Sequence, residues 1–290
     1  MKYTIITDSC CDLNREVAAA YDQFCILPLS FTVGGVTQHD ELSAEEVHSY
    51  YDRLRAGEMS TTSQINPSEF FEAFSAHVKN GEALLCLHFS SALSGTYSSA
   101  CIARDMVLEQ YPDAVIEIVD TLAASAGQGM MVYDALENRE AGMDIHENAQ
   151  WIRERIQTYV HWFTVDDLHF LKRGGRCSPS AAFFGSMLSI KPVLHVSEEG
   201  KLIARAKVRG RKQALKALAE KFGELGASPE QMVFITHGDC ETDAMAVKQM
   251  LTDMYGCKPE RIILSPVGPV IGSHSGPGTI ALFFRGKDRG

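Results

Sequence analysis

Four polar clusters interrupt the apolar runs of this chain, and each carries groups suited to holding an anion. Thr61-Thr62-Ser63-Gln64 sets three hydroxyls beside an amide; its plainest alternative is a solvated loop that caps a helix. Ser90-Ser91-Ala92-Leu93-Ser94-Gly95-Thr96-Tyr97 runs from a strand end into a helix start. Free backbone N–H groups and hydroxyls converge there at a positive helix terminus, which suits a carboxylate or phosphate. The bland alternative is that Ser94 only caps its helix. Gly268 to Gly278 surrounds His274 with glycines and prolines, so a tightly held bend brings the imidazole out, either as a ligand contact or as a structural histidine. Leu171-Lys172-Arg173-Gly174-Gly175-Arg176 puts three cations in a flexible turn. That is a solvated basic turn, or a contact for phosphate or for a partner that handles phosphate.

Catalytic patterns fit the same residues poorly. There is no G-x-x-x-x-G-K-[ST] loop and no G-x-G-x-x-G after a strand, so nucleotide binding lacks its usual cradle. Gly272-Ser273-His274-Ser275-Gly276 has histidine where a nucleophile elbow needs serine. Ser94 and His274 could act as nucleophile and base, with Asp8 or Asp120 as orienter, but the spacing favours this no more than a hydrogen-bonding pair. The histidines show no metal-ligand spacing, so no metal is expected.

The composition sets bounds. With 290 residues, 45% hydrophobic and 22% charged, the chain is an ordinary globular one able to bury a large core. A net charge of −10 argues against nucleic acid and against a polybasic membrane anchor. The eight cysteines form no C-x-x-C pair, and several sit in apolar runs, as reduced thiols do. The first apolar run stops at Asp8, too short for a signal peptide, and no stretch approaches the ~18 residues of a membrane span. A cytoplasmic protein is expected.

The elements that must carry these clusters alternate. Strands are predicted at Tyr3–Thr7, Ala83–Phe89 and Val115–Val119, and a hairpin at Phe24–Val33 and Val36–His39 across Gly34-Gly35. Asn14 is a candidate cap for a short helix, Ser43 with Glu46 forms a capping box, and Pro67 suits a helix first turn. Ser63–Asn66 reads as a loop. Further helices are expected at Gly95–Gln110, to about Asn138, and over about Asp144–Gln157. This alternation implies a parallel sheet covered on both faces. Beyond it, strands at Tyr159–Phe163, Ile190–Val196, Leu202–Val208, Met232–Thr236, Arg261–Leu264 and Ile280–Phe284 meander with helices on one side. The fold class is therefore α/β, with an N-terminal parallel-sheet domain over 1–158 and a C-terminal α+β domain over 159–290.

Together the clusters resemble the DegV family, the fatty-acid-binding subunits of bacterial fatty acid kinase. The resemblance covers nearly the whole chain. It rests on Thr7-Asp8-Ser9 with Asp12-Leu13, on Thr62-Ser63-Gln64, and on Ser90-Ser91-x-Leu93-Ser94-Gly95-Thr96-Tyr97. Asp167-Leu168-x-Phe170 through Arg176, Ile190-Lys191-Pro192, and His274-x-Gly276-Pro277-Gly278 complete it. One departure is Ile65-Asn66-Pro67, where the family commonly has proline directly after the glutamine.

The resemblance implies a long-chain fatty acid, and no other cofactor, in a tunnel between the domains. It implies carboxylate contacts at Thr62, Ser94 and the Gly95 N–H, with His274 nearby. Arg173 and, with a less diagnostic neighbourhood, Arg205 are implied to face a separate ATP-dependent kinase subunit. That subunit would make the acyl phosphate for phospholipid synthesis, leaving this chain non-catalytic, with only transient membrane contact. Candidate tunnel residues are Phe183, Phe184, Met187, Leu188, Ile190, Phe283 and Phe284, each of which could equally be ordinary core. About fifteen buried CH₂ groups at roughly 0.8 kcal/mol each give ~12 kcal/mol gross, enough to survive association costs of several kcal/mol. Two other readings stay open: a serine-dependent acyl-ester hydrolase using Ser94, and a sensor or interaction module whose lipid is structural.

Overall fold

Tyr3–Asp8 (β1) is buried along its whole length, as befits a strand with both sheet faces covered. The computed structural model describes residues 3–13, 15–41, 43–177 and 190–290. Asn14, Phe183, Phe184, Met187 and Leu188 lie outside the described residues.

After β1 come α1 (Arg15–Ala19), β2 (Phe24–Leu27), β3 (Ser30–Val33), β4 (Val36–His39) and α2 (Ala44–Arg55). Then follow β5 (Ser60–Ser63), α3 (Pro67–Lys79), β6 (Ala83–His88), α4 (Thr96–Gln110), β7 (Ile116–Asp120), α5 (Ala126–Glu140) and α6 (Ile145–Arg155). β2-β1-β6-β7 form a wholly parallel sheet, and β4-β3-β5 a small antiparallel one. Ser43 and Glu46 make the expected reciprocal cap, and Asn66 makes another ahead of Pro67.

The C-terminal half contains β8 (Tyr159–Thr164), α7 (Leu168–Arg173), β9 (Ile190–Val196), β10 (Leu202–Arg209) and α8 (Arg211–Leu225). It continues with β11 (Val233–His237), α9 (Glu241–Tyr255), β12 (Ile262–Pro266), α10 (Pro269–Ser275) and β13 (Ile280–Arg285). Its mixed sheet runs β10-β9-β8-β13-β11-β12. One face of that sheet packs under α8 and α9 through Val160, Trp162, Leu218, Phe222, Leu282 and Phe284.

The opposite face meets the N-terminal domain. α5 lies between the two sheets and is buried almost all round from Ala126 to Leu136, which explains its weakly amphipathic, small-residue sequence. Gly127 and Gly129 permit this: a Cβ at the first would meet the His161 ring at 1.9 Å, and at the second the Cys11 carbonyl at 2.5 Å.

Four local expectations need correction. Phe24–Val33 is two strands in two different sheets, because Pro28 has no N–H to continue a ladder. Thr62 and Ser63 close a strand, β5, paired with Phe31 and Ser30, where a loop was expected. The supposed flexible basic turn is largely helix: α7 runs through Arg173, capped by the Asp167 carboxylate on the His169 N–H, and only Gly174-Gly175 turn. The glycine-rich bend around His274 is the helix α10, begun by Pro269 and ended at Gly276 with φ +78°.

Candidate functional site

Carboxyl ends of parallel strands are where open sheets bind ligands. Here the segments following β1, β6 and β7 supply Cys10, Phe89, Ala124 and Ser125 to a cavity of about 410 Å³. The inner face of the mixed sheet closes it with His161, Phe163, Val196, Leu202, Ala281 and Phe283. Most of this lining is apolar, and its polar groups gather mainly at one corner.

The polar part is built by four elements that meet. Thr62 projects from the end of β5, and its hydroxyl lies 2.9 Å from His274 Nε2 on α10. Gln64 follows, packed so tightly on Gly95 that a Cβ there would fall 2.3 Å from its side-chain oxygen. Ser94 precedes α4; its Oγ lies 2.9 Å from Thr96 Oγ1 and accepts the Thr96 N–H at 3.2 Å. The N-cap residue Gly95 has no side chain and Ser94 takes only the first N–H of α4, so the positive end of the helix lies at this corner. Arg176 completes the group, donating from Nε to the Leu93 carbonyl at 3.2 Å and lining the same cavity.

His274 is held neutral. Burial and then the Arg176 charge push it down to about 4. Gly174 backs directly onto it: a Cβ at that position would fall 2.2 Å from Nδ1. With its proton on Nε2, the imidazole donates to Thr62 Oγ1 and leaves the threonine hydroxyl hydrogen to donate into the cavity. Thr62, Ser94, Arg176 and the α4 terminus then form a set of donors suited to a carboxylate.

A second polar knot borders the cavity. Ser125 Oγ donates to Asp12 Oδ2 at 2.5 Å and lies 3.0 Å from Thr236 Oγ1, while Asp12 Oδ1 accepts the Gly268 N–H at 2.8 Å. Asp12 and Ser125 both have left-handed backbones, φ 44° and 53°, a strain the surrounding contacts must hold. Burial raises the Asp12 carboxyl to about 8, against the bonds from Ser125 and Gly268, with Asp40 and Asp8 adding to the rise. The neighbouring Cys10 thiol is pushed far above its ordinary value, chiefly by burial.

The other predicted residues are placed variously. Phe283 lines the cavity; Ile190 begins β9 opposite Arg209 and is not in the lining. Phe284 faces the helices on the far side of the sheet. Arg173 is exposed, its guanidinium 4.6 Å from the Phe170 ring centre. Arg205 is exposed where β10 bulges, and its Nε donates to His195 Nε2 at 2.8 Å. The hydrolase arrangement is not assembled: His274 Nε2 faces Thr62, Asp8 faces His88 at 3.0 Å, and Asp120 accepts the Ser91 and Leu122 N–H groups.

A family model described as "Uncharacterised protein, DegV family" matches residues 2–287. A DegV domain-containing protein of Clostridium perfringens is 45% identical over 290 residues, 99% of each chain. The chain belongs to the DegV family. Among solved structures, a fatty acid binding DegV family protein from Streptococcus agalactiae superposes with TM-score 0.86 at 32% identity, over 99% of this chain and 100% of that one. DegV of Bacillus subtilis, described as a fatty acid binding protein, gives TM-score 0.83 at 28% identity, over 99% and 100%.

Within that DegV frame several lining residues carry no distinguishing signal in the sequence, Arg176, Gln64 and His161 among them. Arg176 belonged to the basic cluster, but nothing local distinguishes it from Arg173. Gln64 stands in its motif with no spacing that gives it a role of its own. His161 sat unmarked in the strand run Tyr-Val-His-Trp-Phe-Thr. Elsewhere, His48, Asp52 and Asp239 approach one another at the surface, but Arg55 already bonds both carboxylates. Among the described residues, no helix is long and apolar enough to cross a membrane.

Proposed function

We propose that this DegV-family protein holds one long-chain fatty acid, its tail in the interdomain cavity and its carboxylate at Thr62, Ser94, the Gly95 N–H and His274. The observation that carries the reading is a mostly apolar cavity wall in which Thr62, Ser94, His274 and Arg176 converge. Its volume falls in the range of roughly 300–1,000 Å³ usual for small-molecule sites. Fatty acid binding by relatives of 28–32% identity along the full chain supports the same ligand class.

The wider proposal is that the protein works in the cytoplasm and performs no covalent chemistry. It collects lipid by brief membrane contact and presents the carboxylate to an ATP-dependent kinase subunit, which forms the acyl phosphate for phospholipid synthesis. Arg173 and Arg205 are exposed and lie outside the cavity lining, as a partner-facing role requires. We divide the chain at 158/159, where β8 begins and every later strand joins the mixed sheet.

Mass spectrometry of an organic extract from freshly purified, detergent-free protein tests the central claim. About one equivalent of a C14–C18 fatty acid is expected. A clean extract from folded protein that also takes up no added fatty acid would overturn it.

A further inference from the structure

Away from the polar corner, where His274 Nδ1 and Ser275 Oγ also lack partners among the described residues, the cavity wall contains a group that an alkyl chain cannot satisfy. His161 projects from β8 into the cavity and is 1% exposed. Neither of its ring nitrogens has a hydrogen-bond partner among the described residues, although the Tyr159 backbone lies near enough to favour the charged form slightly. Burial, followed by the charge of Arg289, holds the ring firmly neutral. A neutral imidazole offers one N–H and one lone pair on different sides of its ring, so a single chain oxygen meets only one of them, and the packing of Gly127 on Nε2 leaves that role to Nδ1.

Its surroundings fix where it acts. The ring is held edge-on to Phe283, centroids 5.5 Å apart, and Gly127 of α5 closes on Nε2. Phe283 is His161's partner in the β13–β8 ladder, and Phe283, Ala281 and Thr279 all line the cavity. Thr279 Oγ1 bonds the Ser275 and Gly276 carbonyls at the end of α10, next to His274. Four residues of strand, roughly 13 Å, therefore separate His161 from the carboxylate end. Ser125 and Thr236 also border the cavity, but they are engaged with Asp12 and with each other.

We propose that His161 is a second polar subsite in the acyl cavity, recognising a hydroxyl or keto oxygen borne part-way along the fatty acid chain. The inference rests on the fatty acid reading above and makes it more specific. A buried polar group left unpaired is costly, and a site built to bond a hydroxyl discriminates against the ligand that lacks it. Conversely, a chain hydroxyl entering a wholly apolar tunnel would lose its water bonds without replacement. His161 removes that obstacle at one depth only.

The test is competitive loading of delipidated full-length protein with equal amounts of octadecanoic acid and a series of octadecanoic acids hydroxylated at single positions from C8 to C14, followed by mass spectrometry of the bound lipid. Wild type is expected to enrich one positional isomer roughly ten-fold over the plain acid. In His161→Phe the bound ratio falls to unity or below, and in His161→Gln, which keeps a donor and an acceptor, part of the preference returns. If His161→Phe does not fold, His161→Leu and the wild-type ratio carry the same decision. Wild type that loads plain octadecanoic acid with no positional preference, or a preference unchanged in the variants, overturns the subsite while leaving the fatty acid reading intact. Failure to load any acid overturns that reading itself.

Discussion

The two faces of the mixed sheet are built from alternate residues of the same strands and have opposite fates. On one, Val160, Trp162, Leu282 and Phe284 meet α8 and α9 in a filled core. On the other, His161, Phe163, Ala281 and Phe283 border the cavity while helix α5 holds the two domains together beside it. Both faces are buried, and their composition differs by little more than one histidine. What separates them is the surface opposite: a helix pair that fills every gap in one case, and in the other a strand-end edge that leaves a space. Burial alone does not distinguish a core from a binding wall.

The largest effect that would sharpen this contrast comes from cutting the same side chain on each face. Phe284→Ala removes a fully buried ring from the closed core and should cost ~3–5 kcal/mol by denaturant unfolding, with the profile of extracted acyl chains unchanged. Phe283→Ala should cost less than that range, because its ring already borders open space, and should shift the extracted lipid toward longer or bulkier chains. Equal stability losses with identical lipid profiles would break the comparison.

A smaller effect separates the polar corner from the outer surface. Ser94→Ala should weaken fatty acid retention about ten-fold in a titration of delipidated protein. Arg173→Ala should leave retention within two-fold of wild type and instead slow acyl-phosphate formation when a cognate kinase subunit and ATP are supplied. Equal losses of lipid affinity in both variants would defeat that division.

A third, pH-dependent effect lies in the knot that borders the cavity. The Asp12 carboxyl is raised to about 8 when folded, against roughly 3.9 unfolded. Between those values the folded state binds a proton the unfolded chain does not, so stability from this group declines as pH rises through the window. Asp12→Asn removes that dependence. The Tm of the variant minus that of wild type should therefore grow from pH 5 to pH 9; a constant difference would show that Asp12 does not titrate as its burial dictates.

Much of the architecture was legible because local rules and tertiary packing agree. Buried runs such as Ala83–His88 read directly as strands, and the caps at Ser43 and Asn66 start helices where their chemistry says they should. The exceptions are segments whose conformation depends on what they touch. Pro269–Ser275 contains three glycines within two residues of its ends or inside it, a poor helix by propensity. It is helical because Tyr50 and Tyr51 bond the Pro269 and Val267 carbonyls and a Cβ at Gly272 would strike Tyr51. The Arg173–Gly174–Gly175 turn likewise reads as loose, yet Gly174 is required for close packing on His274.

By itself, the sequence determined the alternating layers, the parallel first sheet, and the polar motifs at Thr62, Ser94 and His274, because these follow from periodicity, capping and short fixed spacings. Only the tertiary structure decided that Thr62 meets His274, that Arg176 and not Arg173 lines the cavity, and that His161 faces space instead of core. The physical reason is the same in each case. A period of two tells which residues share a face of a strand, but the cost or benefit of a side chain depends on the atoms across from it, and those come from segments as much as 212 residues away in the chain.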